Sequence, residues 1–151
     1  ALVSEARYVG WVDRAAMLRN FDRAAARRGD RFLAREIERR MAERLEYIKH
    51  APTCILDAGC GTGEGAAMLR ACYPRAGIVA LDASAGALEQ ARGARSIGAR
   101  LRALVGSGGV RAVRGDLSAG AIRPGACDML WSNLAAAWSP DVAATIRGWG
   151  E

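Results

Sequence analysis

Cys54-Ile55-Leu56-Asp57-Ala58-Gly59-Cys60-Gly61-Thr62-Gly63-Glu64 is the stretch that decides the fold. It opens as a short apolar strand, Cys54 to Asp57, crosses a glycine-rich bend and enters a helical pattern from about Glu64 to Cys72. Glycines at 59, 61 and 63 remove Cβ atoms where the backbone must turn sharply, and the expectation is that they make room for a ligand against the main chain. The alternation then repeats. Gly77 to Asp82 reads as a second strand, followed by a helix that Ser84 caps and that carries Leu88, Ala91, Ile97, Leu101 and Leu104. Gly106-Ser107-Gly108-Gly109 forms a turn, Val110 to Asp116 a third strand and Asp128 to Asn133 a fourth, after the Pro124-Gly125 turn. A last helix runs from about Pro140 to Trp149. Strands and helices taking turns imply parallel strands joined by right-handed crossovers, hence an α/β, doubly wound parallel sheet.

Upstream of that stretch, Leu33, Ile37, Met41, Leu45 and Ile48 recur every three or four positions, which predicts a helix from Phe32 to Lys49 with one buried stripe. Pro52 ends it, because the residue before a proline is pushed out of helical geometry. The first thirty residues, with Tyr8, Trp11, Val12, Met17, Leu18 and Phe21 among many Arg and Ala, read as one or two short helices broken near Gly29-Asp30. The expected organisation is a helical extension over 1–50 and a sheet unit over 51–151. At 151 residues, 51% hydrophobic and 25% charged, the chain has the balance of one globular domain rather than of a disordered or fibrous protein.

Several classes fall away on composition. The apolar runs are far shorter than the ~20 residues of a bilayer-spanning helix, and the start lacks the cationic and apolar blocks of a secretory signal. Cys54, Cys60, Cys72 and Cys127 form no C-x-x-C pair and His50 is the only histidine, so no metal site is expected and the cysteines read as reduced thiols in a cytoplasmic protein. The net charge is +6, with Lys49 the only lysine among 22 basic residues. Arg35, Arg39, Arg40 and Arg44 alternate with Glu36, Glu38, Glu43 and Glu46, the pattern of a solvated helix face laced with ion pairs. No nucleic-acid partner is therefore expected; an acidic protein partner fits the charge better.

In open α/β sheets ligands bind beyond the carboxyl ends of the strands, which singles out Asp57, Asp82, Asp116 and Asn133. Two cofactor classes compete for the glycine loop. Gly61-x-Gly63-x-x-Ala66 satisfies the loose dinucleotide fingerprint, and Asp82 lies about twenty residues on, where a ribose-binding acid belongs. Asp57 argues the other way, because a carboxylate opening the loop repels a pyrophosphate. S-adenosylmethionine brings an ammonium and a sulfonium instead, and an acid suits both.

Asp57-Ala58-Gly59-Cys60-Gly61-Thr62-Gly63 resembles the D-x-G-x-G-x-G signature of class I S-adenosylmethionine-dependent methyltransferases, whose fold is Rossmann-like. The resemblance implies that Asp82 holds the ribose hydroxyls, that Asp116 lies beside the adenine amino group, and that Asp57, Gly59, Cys60, Gly61, Gly63, Ala83, Leu117 and Asn133 complete the cofactor site. A narrower likeness, carried by Phe21-Asp22-Arg23-Ala24-Ala25, by Arg35-Glu36-Ile37 through Glu43-Arg44-Leu45 and by Trp131-Ser132-Asn133-Leu134-Ala135 before Trp138, is similar to the malonyl-carrier-protein O-methyltransferases of biotin synthesis. It implies a small or carrier-protein-bound acyl substrate and an acidic acyl carrier protein as partner. Ala136 and Ala137 stand where those proteins commonly have a larger and a polar residue, which leaves the acceptor open.

A carboxylate acceptor is already ionised at neutral pH, so catalysis is mostly placement and no catalytic residue is named. Cys60 reads as a small filler, Trp131 and Trp138 as core in preference to the pocket lining they could also form, and Phe21 as part of a lid that the family likeness implies. The resemblance implies a seven-stranded sheet, of which four strands can be found, so the chain is expected to be a fragment rather than a short relative. In the family's strand order the fourth strand is central, which leaves Met129-Leu130-Trp131 on an open edge, with self-association expected there. The alternatives are a nicotinamide-dependent oxidoreductase, for which no Tyr-x-x-x-Lys pair is present, a non-catalytic module docking an acidic carrier, and a methyltransferase acting on another small molecule or on a protein.

Overall fold

The computed structural model describes residues 13–27, 31–93, 109–118 and 120–150. Helices α1 (Arg14–Ala26) and α2 (Phe32–Leu45) precede strand β1 (Cys54–Ala58), helix α3 (Glu64–Cys72), strand β2 (Gly77–Asp82), helix α4 (Ala85–Gly93), strand β3 (Val110–Arg114) and strand β4 (Met129–Trp131). A 3₁₀ turn (Ala135–Trp138) and helix α5 (Val142–Trp149) follow. The strands form one parallel sheet in the order β3-β2-β1-β4, the doubly wound arrangement expected. Because β2 and β3 lie on one side of β1 and β4 on the other, the order of strand addition reverses between β1 and β4 while all strands stay parallel. In open sheets of this kind the ligand crevice lies outside the carboxyl ends of the strands at such a switch point.

Side-chain alternation along β1 assigns its faces. Ile55 packs with Leu45 of α2, Leu69 of α3, Ile78 of β2 and Trp131 of β4 on one face. Leu56 and Ala58 point the other way, where Leu81 and Trp149 of α5 meet them. Ile55 and Leu69 are fully buried, and each contributes about 1.5–3 kcal/mol by leaving water. By the same alternation Asp57 falls on the α2–α3 face, which decides where its carboxylate goes. Trp131 is core as expected, whereas Trp138 is not: it is 50% exposed, with its edge toward the Phe21 ring at 5.0 Å.

Helix α2 ends at Leu45 instead of Lys49, since the amides of Tyr47 and Ile48 bond carbonyls only three residues back and unwind the last turn. Of the predicted stripe, Leu45 is buried while Leu33 and Ile48 are exposed. Strands β3 and β4 are shorter than expected, so Asp116 and Asn133 stand just past the strand ends rather than on them. Ser84 caps α4 as predicted, its Oγ accepting the Ala87 amide at 3.1 Å. The continuation of that helix through Ile97, Leu101 and Leu104, the turn at 106–108, the aromatics at 8 and 11, and the Gly29-Asp30 break lie outside the described residues. Helix α5 starts at Val142, where the Asp141 carboxylate accepts the Ala144 amide at 2.8 Å.

Ion pairs cover the outer face of α2 as predicted, with Arg39 and Arg40 both bound to Glu36. No helix among the described residues is long and apolar enough to cross a membrane, and no metal-binding cluster is found among them. All the cysteines are free; Cys54 Sγ and Cys127 Sγ lie 2.9 Å apart at the amino end of the sheet.

Candidate functional site

A cleft of about 380 Å³ opens at the carboxyl ends of the strands. Gly59 and Gly61 form part of its wall, with Asp82 and Ala83 after β2, Asp116 and Leu117 after β3, and Asn133 after β4. Helix α1 and the 3₁₀ turn close it through Phe21 and Trp138. A smaller chamber of about 120 Å³ adjoins it, sharing Arg31, Ala34, Gly59, Gly61 and Asn133, and holds Asp57 and Cys60. Gly63 lines neither space.

The glycines have different reasons to be glycine, and this corrects the expectation that only a ligand needs their room. A Cβ on Gly59 would come within 2.1 Å of the Ala135 Cβ, and one on Gly63 within 3.0 Å of the Ala91 Cβ. Those two are required by neighbouring chain, the first where the β1 and β4 loops meet and the second where α3 starts against α4. Gly61 is different. Its φ is +53°, and the nearest atom to its absent Cβ is the Arg31 guanidinium at 3.7 Å, so open space remains beside it.

Asp82 is held by backbone: the Gly61 amide donates to one oxygen at 2.9 Å and the Ser84 amide to the other at 2.8 Å. A carboxylate has about four acceptor positions, so capacity remains for a ligand's hydroxyls. Asp116 accepts the Ser118 amide and hydroxyl, both at 2.9 Å, and pairs with Arg14 of α1. Burial pushes its carboxyl up, but the Ser118 hydrogen bonds and Arg14 outweigh this and hold it below the ordinary carboxylate range. Asn133 donates from Nδ2 to the Ala34 carbonyl at 2.8 Å, while its Oδ1 is buried without a partner among the described residues.

Asp57 has no such support. It is 3% exposed, and its Oδ2 has no hydrogen-bond partner among the described residues. Burial, then the nearby Glu38 and Asp82 carboxylates, push it up to about 7. Cys60 packs with Ala80 and Leu88 as the filler it was expected to be, and burial pushes its thiol up.

Sequence reasoning missed Arg14, Arg31 and Glu38. Arg31 precedes α2, donates to Thr62 Oγ1 at 2.6 Å and lines both spaces. Glu38 carried a signal: it lies three residues before Met41 and seven before Leu45, an acid on the inward face of α2. Leu134, φ +61°, is a non-glycine residue in left-handed geometry beside the cleft, strain of about 1–2 kcal/mol at the mouth of the site.

The family described as methyltransferase domain matches residues 55–150. The malonyl-[acyl-carrier protein] O-methyltransferase of Laribacter hongkongensis is 42% identical over 135 residues, 87% of this chain and 45% of that protein. Its namesake from Methylovorus sp. is 39% identical over 132 residues, 87% of this chain and 44% of that one. The chain thus spans less than half the length of these curated relatives. Among solved structures, the plantazolicin methyltransferase BpumL, in complex with a triazolic desmethylPZN analogue and SAH, superposes with a TM-score of 0.57 at 16% identity, over 93% of this chain and 49% of that one, a likeness of fold.

Proposed function

This chain belongs to the methyltransferase domain family, and from that premise we propose that it carries the S-adenosylmethionine-binding half of an enzyme that O-methylates a small carboxylate, such as malonyl on an acyl carrier protein in biotin synthesis. The observation that carries the reading is the buried Asp57 oxygen, without a partner among the described residues, in a chamber joined to the main cleft. An orphaned buried carboxylate is costly unless a cation meets it, and the amino-acid end of this cofactor has one. A dinucleotide would instead bring its pyrophosphate to the start of α3, against Asp57, Glu38 and Glu64.

In this reading Asp82 takes the ribose hydroxyls with its free acceptor positions, and Asp116 with Leu117 borders the adenine. Gly59, Cys60, Gly61, Gly63 and Ala83 shape the loop and its flanks. Arg31, at the junction of cleft and chamber, supplies a cation for the α-carboxylate. The bound cofactor supplies a sulfonium methyl group, and an acceptor carboxylate is ionised without a general base. The chain's own contribution is placement and water exclusion, with Phe21 and Trp138 closing the cleft. An acidic carrier protein fits the net charge of +6, and the β4 edge, where Leu130 is 36% exposed, supports self-association through that strand.

Calorimetry with S-adenosylmethionine and S-adenosylhomocysteine tests the reading, with binding of both expected. A folded chain that takes up neither ligand defeats it, and methyl transfer to malonyl carrier protein by the full-length protein then tests the acceptor.

A further inference from the structure

Glu38 lies outside the glycine-loop motif, yet it reaches the same point in space as Asp57. The position a Gly65 Cβ would occupy is 2.9 Å from Glu38 Oε1 and 3.1 Å from Asp57 Oδ2. The two carboxylates therefore flank one spot over the first turn of α3, no farther apart than those distances added together. A single N–H donor group placed between them can bond both at ordinary length. Asp57 Oδ2 and Asn133 Oδ1 are both buried and have no partner among the described residues, and both residues line the chamber that Glu38 borders.

We propose that Glu38 of α2 and Asp57 of β1 form a two-carboxylate seat for the α-ammonium of the cofactor's amino-acid end, and that seating the ammonium expels the proton the pair carries while the seat is empty. This rests on the cofactor reading above and adds to it a residue from a different element and a proton. Two acids this close in a partly buried place do not both ionise readily. Burial, then Glu64, raises Glu38, and burial, then Glu38 and Asp82, raises Asp57. The remaining groups facing the chamber are Arg31 before α2, Glu64 of α3, which Arg35 pairs at 2.8 Å, and the Cys60 thiol. An ammonium replaces the proton's charge, so its arrival lets both acids ionise.

The test compares S-adenosylhomocysteine with 5′-deoxy-5′-methylthioadenosine, which keeps the nucleoside and lacks the amino-acid end. Wild type, Glu38→Gln and Asp57→Asn are titrated by calorimetry near pH 6.5 in buffers of different ionisation enthalpy. We expect Glu38→Gln to weaken S-adenosylhomocysteine about tenfold, to leave methylthioadenosine within about twofold, and to reduce the fraction of a proton that wild type releases. Methylthioadenosine should release none with any variant. If Glu38→Gln keeps full affinity and full proton release, or loses both ligands equally, the seat is overturned while the cofactor reading stands. If wild type binds neither ligand, the cofactor reading fails first and the seat falls with it.

Discussion

At the amino end of the β1–β4 pair, Asp128 is fully engaged: the Thr53 amide reaches its oxygens at 2.9 and 3.1 Å, the Thr53 hydroxyl at 2.8 Å and the Cys54 amide at 3.0 Å. At the carboxyl end of the same pair, Asp57 is buried with an oxygen that meets no donor among the described residues. One residue type thus has opposite fates within one strand's length. Backbone and side-chain hydrogen bonds hold Asp128 down to about 2, while burial holds Asp57 up at about 7. The difference teaches which end is finished. Asp128 staples the start of β1 and asks for nothing more, whereas Asp57 reduces stability until a cation arrives, and natural sequences retain such costs where function needs them.

The largest effect expected from this contrast is in the pH dependence of stability. Asp57 titrates near 3.8 when exposed and at about 7 when folded. Below about pH 4 both states hold the proton. Between about pH 4 and 7 the unfolded chain ionises first, so stability falls as pH rises, by on the order of 4 kcal/mol in total, and above about pH 7 the loss is complete. Urea midpoints at about pH 5 and pH 8 should show this slope in wild type and a much flatter one in Asp57→Asn. An Asn variant that keeps the wild-type slope would break the comparison at its carboxyl end.

Asp128→Ala probes the other end with a smaller and opposite signature. Loss of its exposed hydrogen bonds should cost about 1–2 kcal/mol and lower Tm by about 2–8 °C. Its folded value is depressed, so its contribution is present above about pH 4 and is lost as pH falls through about 2. Affinity for S-adenosylhomocysteine should be unchanged in the folded variant, since Asp128 is at the far end of the sheet from the cleft. A parallel loss of affinity would mean that the two ends are not independent.

How legible this was in the sequence follows from the range of each interaction. Period and punctuation located α3 and β2 to the residue, because their apolar spacing and flanking glycines and prolines are local. The carboxylates at the strand tips were visible for the same reason. The α2 contribution was not, because Glu38 reads as one more member of an alternating Arg/Glu face until the sheet is placed beneath it. Core and pocket lining could not be told apart for Trp138, because exposure beside a cleft and burial in a core demand the same aromatic type. The reason for Gly59 was hidden too: Ala135, the residue that forbids a Cβ there, is 76 positions away in sequence and comes close only after β4 pairs with β1.

Gly61 gives the smallest stability effect and sharpens the comparison most. Unlike Gly59, it has no neighbour among the described residues that a methyl group would strike, since the Arg31 guanidinium at 3.7 Å is in ordinary contact range. Gly61→Ala should therefore cost only the left-handed strain of about 1 kcal/mol, or about 2–4 °C in Tm. The added methyl nevertheless enters the junction between cleft and chamber that Gly61 and Arg31 share. Affinity for S-adenosylhomocysteine should fall about tenfold, far out of proportion to the stability loss, because the ligand's amino-acid end must pass that point. Thermal melts and calorimetry on one preparation read both numbers. Should affinity stay at the wild-type value while Tm drops as expected, Gly61 serves the turn alone, and the open space beside it is not where the ligand lies.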